Sequence, residues 1–203
     1  MYLKILPAAI LLLALLACKN KTPHPQHAEQ PSPDSAVAAG SYLPVRDFIL
    51  GDVRLVDSFA GAILRKTDLA GRKDSGYVSP QQFREKINAF LPEVLDSARF
   101  ARTFEEVSLM DETTRLLNFI YTARDTAETL RKVVVYIVPS LTIDQVETIY
   151  MEKAFRDQGQ SVQQKLTWKM HQSCSILTIR YTGPETSVVT QEKLIWDPFH
   201  FAD

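Results

Sequence analysis

Between residues 104 and 196, apolar and polar positions alternate in short runs broken by turn residues, the pattern of successive half-buried strands. The clearest run is 162–171. There Val162, Leu166, Trp168 and Met170 fall on one side of an extended chain, and Gln163, Lys165, Thr167, Lys169 and His171 on the other. The pattern predicts strands over 104–110, 115–124, 130–139, 145–155, 161–171, 174–182 and 187–196. Turn chemistry separates most of them, at 111–114, 125–128, 157–160 and 182–185. The break at Gln172-Ser173 is weaker, because a tight two-residue hairpin favours Gly or Asn. Short polar connections favour an antiparallel meander.

Ahead of this region the periodicity is helical. Pro44 suits a first helical turn, and Val45, Phe48, Ile49 and Val53 recur at helical spacing, predicting an amphipathic helix over 44–54. Residues 55–66 fit a strand better than a helix, and the polar, glycine-bearing stretch 67–77 reads as a loop. Ser79-Pro80-Gln81-Gln82 is a capping-box variant, with serine at the N-cap and glutamine at the third helical position. Phe83, Ile87, Phe90 and Leu91 then share one face, and Pro92 ends or kinks that helix. A second helix is expected over 93–102, with Val94, Leu95 and Ala98 facing inward.

The predicted fold is therefore α+β: an antiparallel meander of six to eight strands, strongly curved and packed against N-terminal helices. Residues 133–138 are apolar on both faces, so that strand needs cover on both. Helices can supply one side. A closing sheet, a partner subunit or a ligand cavity can supply the other. In outline only, such a sheet resembles the cystatin-like, NTF2-like and Bet v 1-like cups, which carries no function with it.

Composition adds little chemistry. The chain has 203 residues and a formal net charge of −1 with mixed signs, so it lacks the basic stripe that nucleic-acid binding needs. Its two cysteines, Cys18 and Cys174, are too few for a disulfide scaffold.

The first 18 residues are more specific. Lys4 is followed by an apolar run from Ile5 to Ala17, a signal-peptide length too short to span a bilayer, ending Leu15-Leu16-Ala17-Cys18. This resembles the lipobox of bacterial lipoproteins. The resemblance implies cleavage before Cys18, diacylglycerol on its sulfur and a further acyl chain on its amine. Lys19, in place of an aspartate, leans toward the outer membrane of a Gram-negative envelope rather than the inner. The implied division is 1–17 signal peptide, 18–41 lipidated cysteine and tether, and 42–203 a single domain. Residues 19–41 contain four prolines and almost no large apolar side chain, which predicts a disordered tether. The mature sequence also resembles uncharacterised bacterial lipoproteins that share the strands Lys165 to Lys169 and Lys193 to Asp197, a resemblance of strand pattern that implies no activity.

No nucleophile elbow, phosphate-cradling loop, H-E-x-x-H or C-x-x-C motif is present. His171 and Cys174 form an H-x-x-C without a visible third group. His24 and His27 lie in the tether and do not make a metal site alone. Glu105, Glu106, Asp111 and Glu112 cluster near the first hairpin and fit a solvated tip better than an acid–base pair or a Ca²⁺ site. Tyr136, Tyr150, Trp168 and Trp196 are the aromatic candidates for a ligand surface, although core filling is the commoner role. The sequence thus points to a non-enzymatic, lipid-anchored envelope protein with a binding or assembly role and neither cofactor nor metal. The membrane holds it through Cys18, and a second copy or another envelope protein is the expected partner. A carrier of a small apolar ligand is the alternative.

Overall fold

The computed structural model describes residues 42–199 other than 60, 143, 144, 184, 185 and 198. Cys18, His24 and His27 lie outside the described residues. Residues Tyr42–Asp203 form one compact unit.

Helix α1 spans Val45–Phe59. It buries Val45, Ile49, Val53 and Val56, one stripe at helical spacing. The helix runs five residues past the expected end at 54. The reason is visible in the pattern: Val56 continues the buried stripe, and Gly51 in mid-helix costs only about 1 kcal/mol. The strand expected over 55–66 shrinks to its second half and joins a hairpin, β1 (Ile63–Leu69) with β2 (Arg72–Val78). This hairpin replaces the loop expected over 67–77. Ala70 and Gly71 both have positive φ (52° and 89°), the geometry of a tight two-residue turn. Asp68 Oδ1 accepts the Gly71 N–H at 2.7 Å. Its exposed, charged edge strand has no apolar alternation, and so gave no strand signal.

Helix α2 (Pro80–Ile87) begins with the expected capping box. Ser79 Oγ accepts the Gln82 N–H at 3.2 Å, and Gln82 Oε1 accepts the Ser79 N–H at 2.9 Å. Two 3-10 turns, Asn88–Phe90 and Glu93–Leu95, flank Pro92. Helix α3 (Ser97–Thr103) follows, capped by Asp96. The predicted helix over 93–102 is thus divided at Asp96, whose carboxylate caps a new start. Val94 and Leu95 are buried as expected, but Ala98 is exposed; Phe100 takes the inward position.

The meander is present in full: β3 (Phe104–Asp111), β4 (Leu116–Ala123), β5 (Leu130–Val138), β6 (Gln145–Asp157), β7 (Gln160–Lys169), β8 (Ser173–Tyr181) and β9 (Ser187–Ile195). The sheet has nine strands in the order β2-β1-β9-β8-β7-β6-β5-β4-β3, every neighbour antiparallel. One more strand than the upper expectation comes from the β1–β2 hairpin. β9 docks beside β1, so the last strand pairs with the first. The sheet is open, with β2 and β3 at opposite edges, and is not strongly curled; the expected strong curvature is absent.

The helices pack on one face. Its central register row runs Gly76, Arg65, Leu194, Cys174, Trp168, Ile149, Val135, Phe119 and Ser108. Two aromatic clusters fill the layer. Trp168 meets Phe90 and Trp196 at 5.2 Å each between ring centroids, and Trp196 meets Phe83 at 5.5 Å. Under the start of the domain, Tyr42, Phe100, Phe104 and Tyr121 stack, and Tyr42 donates its hydroxyl hydrogen to the Phe104 carbonyl. Edge-to-face and tilted pairs of this kind contribute roughly 0.5–1.5 kcal/mol each beyond burial.

Lys153 of β6 breaks the apolar pattern of that face. Its ammonium donates to the Ala89 carbonyl within the first 3-10 turn. Burial lowers its pKa to about 8. A folded pKa below the unfolded one means that the unfolded chain holds more protons between them. The cost of charging Lys153 is therefore present in full below pH 8 and fades as pH rises toward 10.5. Burial also pushes the phenols of Tyr121 and Tyr150 and the thiol of Cys174 upward, which lowers stability above about pH 9. Comparison with a Lys153→Met variant cancels those groups. Between pH 7 and 9 the native protein should gain about 1.4 kcal/mol relative to the variant in urea denaturation; parallel pH curves would refute the buried ammonium.

Candidate functional site

The face opposite the helices is where the chain leaves chemistry accessible. One register row crosses all nine strands on that side: Ser75, Lys66, Lys193, Ser175, Thr167, Tyr150, Val134, Ile120 and Val107. It passes from cationic and hydroxylic on β2, β1 and β9 to apolar on β5, β4 and β3. The flanking rows are mixed: one runs Lys73, Asp68, Gln191, Leu177, Lys165, Glu152, Lys132, Thr122 and Glu105, and the other Tyr77, Leu64, Ile195, Ser173, Lys169, Thr148, Tyr136, Asn118 and Leu109. Lys73, Lys165 and Lys169 lie on the polar half, and Leu109 lies on the apolar half beside Asn118 and Tyr136. No described helix covers this face. Val134 is nonetheless buried, between its cross-strand neighbours Ile120 and Tyr150. That answers the doubly apolar strand: its second face is shielded by side chains of the sheet itself.

On the polar half, Lys66 and Lys193 are direct cross-strand partners. With Lys73, Asp68, Asp74, Thr67, Ser75 and Gln191 they line an open trough of about 590 Å³, three lysines with two carboxylates. None of Lys66, Lys73, Lys165, Lys169 and Lys193 has a carboxylate in ion-pair contact among the described residues. Asp68 Oδ1 accepts the Gly71 N–H of the turn, and its charge stands opposite Lys73. Tyr150 donates to Glu152 at 2.9 Å, and burial, then that carboxylate, raise its phenol. Asn118 is buried, with its Oδ1 unpartnered among the described residues.

A second polar cluster joins the layers. Asp52 of α1 is 1% exposed and sits on the buried stripe of its helix. Its Oδ2 accepts the Trp168 indole N–H at 2.8 Å and the His171 backbone N–H at 2.9 Å, and its Oδ1 accepts the His171 Nδ1–H at 2.8 Å. The β7–β8 connection is a three-residue loop, Met170 to Gln172, rather than a two-residue turn, and His171 takes the left-handed conformation at φ 63°. His is among the residues that tolerate this region, and Asp52 holds it there. The signal for Asp52 was in the sequence: a carboxylate three residues after Ile49 falls on the stripe a helix must bury, and a buried carboxylate needs donors.

Asp52 and His171 make an oriented carboxylate–imidazole pair, with the imidazole mostly in solvent. Cys174 does not complete it. The thiol is buried opposite Trp168, and desolvation, then Glu192 and Asp52, push it far above the thiolate range. Among the described residues no group of three His, Cys, Asp or Glu side chains could hold a metal ion. Glu105 and Glu106 point to opposite faces of β3. Asp111 closes the β3–β4 turn by accepting the Thr113 and Thr114 N–H groups, and hydrogen bonding led by the Thr114 side chain lowers its pKa. The four aromatic candidates separate. Trp168 and Trp196 pack under the helices, and Tyr136 and Tyr150 are diagonal neighbours on the outward face.

No protein-family model, curated protein or solved structure matches this chain. Among the described residues no helix is long and apolar enough to cross a membrane.

Removing the Asp52 carboxylate would strand two buried donors at roughly 1–3 kcal/mol each. Asp52→Ala should therefore lower the free energy of unfolding by about 2–5 kcal/mol. His171→Gly, which keeps the backbone bond and relieves the positive φ, should cost about 1 kcal/mol or less. Urea titration followed by tryptophan fluorescence, from Trp168 and Trp196 together, measures both; equal losses would show that the carboxylate serves the imidazole rather than the layer junction.

Proposed function

We propose that this is a lipid-anchored protein of the bacterial cell envelope that works by binding, with the outward face of its sheet as the binding surface. The observation that carries this is the one-sided packing. The helices take one face of a nine-stranded sheet, and along its central row the other face runs from lysines without an ion pair among the described residues to an apolar half. The lipobox-like Leu15 to Cys18 supports the anchor, and an outer-membrane location follows from Lys19 by the same resemblance. The open sheet and the side-chain-filled layer beneath the helices favour a surface over a cup for a small apolar ligand. Two of the four aromatic candidates already belong to that filling.

Cys18→Ser should move the protein from the membrane to the soluble fraction and remove the acyl mass from the mature N-terminus. Retention in the membrane, or a wild-type N-terminus without lipid by mass spectrometry, would end the anchor reading. For the face, a photo-cross-linking residue at Thr167 or Lys193 should give adducts in living cells, whereas the same residue at Arg99 in the helix layer should not. Adducts from Arg99 alone would move the binding surface to the helices.

A further inference from the structure

We infer that the lysine half of the outward face docks on an anionic lipid surface, the leaflet that holds the acyl chains of Cys18. The choice of leaflet rests on the envelope reading above, whereas the charge argument rests on the fold. Lys66 and Lys193 stand directly opposite each other on β1 and β9, an arrangement that destabilises a sheet when nothing neutralises it. On the helix side, Arg65 pairs with Asp74, Glu192 with Lys86 of α2, and Arg180 with Asp157. Among the described residues, Lys66, Lys73, Lys165, Lys169 and Lys193 on the outward side make no such contact. Lys73, Lys165 and Lys169 extend the patch from β2 to β7, a span of five adjacent strands of which four carry lysine, roughly 19 Å at about 4.8 Å per strand; Asp68 stands opposite Lys73 and Glu152 opposite Lys165, which leaves five lysines against two carboxylates. Ser75, Gln191, Ser175 and Thr167 lie among the lysines and offer neutral hydrogen-bond donors to phosphate oxygens.

The shape fits a plane better than an enclosed ligand, because the trough is open and the sheet around it is not curled closed. Chain length permits the contact. Residues 19–41 can span at most roughly 80 Å, several times the thickness of a helix-on-sheet domain. The acyl anchor and the patch can therefore meet the same leaflet. Each lysine near an anionic surface contributes attraction that falls off within a Debye length.

The test uses the chain without its signal peptide and with Cys18→Ser, so that no acyl chain contributes. Flotation with phosphatidylcholine vesicles containing about 30% phosphatidylglycerol should recover the protein, and pure phosphatidylcholine should not. Raising NaCl from about 0.1 to 0.5 M should cut binding at least tenfold. Removing one lysine should cost about fivefold, the ratio equivalent to 1 kcal/mol. Lys66→Glu with Lys193→Glu should thus lose at least about 25-fold, and Lys66→Gln with Lys193→Gln, which avoids opposed carboxylates, should lose the same order. Arg99→Glu with Arg102→Glu on α3 makes the same net-charge change as the Glu pair and should leave binding within about twofold.

Absence of binding to the anionic vesicles, or equal loss in the α3 control, overturns the inference. So does displacement by millimolar glycerol phosphate, which would mean a site for a small free anion. None of these outcomes touches the Cys18 reading, which its own fractionation and mass measurements decide.

Discussion

Asp52 is the side chain on which the agreement between the two layers depends. Burying Trp168 beneath the helices takes an indole N–H out of water, and the left-handed turn at His171 leaves a backbone N–H pointing inward. One carboxylate on the buried stripe of α1 accepts both. The same residue therefore ties α1 to the sheet, holds the β7–β8 loop in a conformation most side chains avoid, and lets the largest core residue pack edge-to-face with Phe90 and tilted against Trp196. A buried carboxylate is costly unless donors surround it, and here three do. The imidazole of His171, largely in solvent, adds a hydrogen bond at the rim and explains why a histidine rather than a glycine occupies that turn.

With that junction made, the helices are committed to one face. The other must be stable in contact with water or a partner. The chain meets this in two ways across the same sheet. On β3 to β6, β-branched and aromatic neighbours shield one another, so that Val134 is buried without a covering layer. On β1, β2 and β7 to β9, lysines and hydroxyls keep the surface hydrated. The gradient follows from register, because antiparallel pairing carries one row of side chains across all nine strands.

The two edges are defended unequally. β2 carries Arg72, Lys73 and Asp74 and is strongly polar, which discourages pairing with another sheet. β3 places Glu105, Glu106 and Asp111 at its ends but exposes Val107, Leu109 and Met110 between them, at 55%, 43% and 50%. Charge at the strand ends is its main protection.

The sequence alone determined much of this architecture. Strands 104–196 declared themselves through two-residue alternation, because one face of each must be apolar to bury. The start of α2 was legible because a capping box is a local hydrogen-bond exchange between Ser79 and Gln82. The extent of α1, the β1–β2 hairpin and the placement of β9 beside β1 were not legible. Each depends on partners distant in sequence: Val56 is helical because the sheet buries it, and the polar strand β2 exists because β1 offers it an edge. The candidate surface divides the same way. Tyr136, Tyr150, Trp168 and Trp196 could be named from composition, but alternation assigns a residue to a face without saying which face the helices will take. Only the tertiary structure decided that Trp168 goes inward to meet Asp52. Five lysines from four strands, scattered over the 128 positions from Lys66 to Lys193, then gather on the side left open.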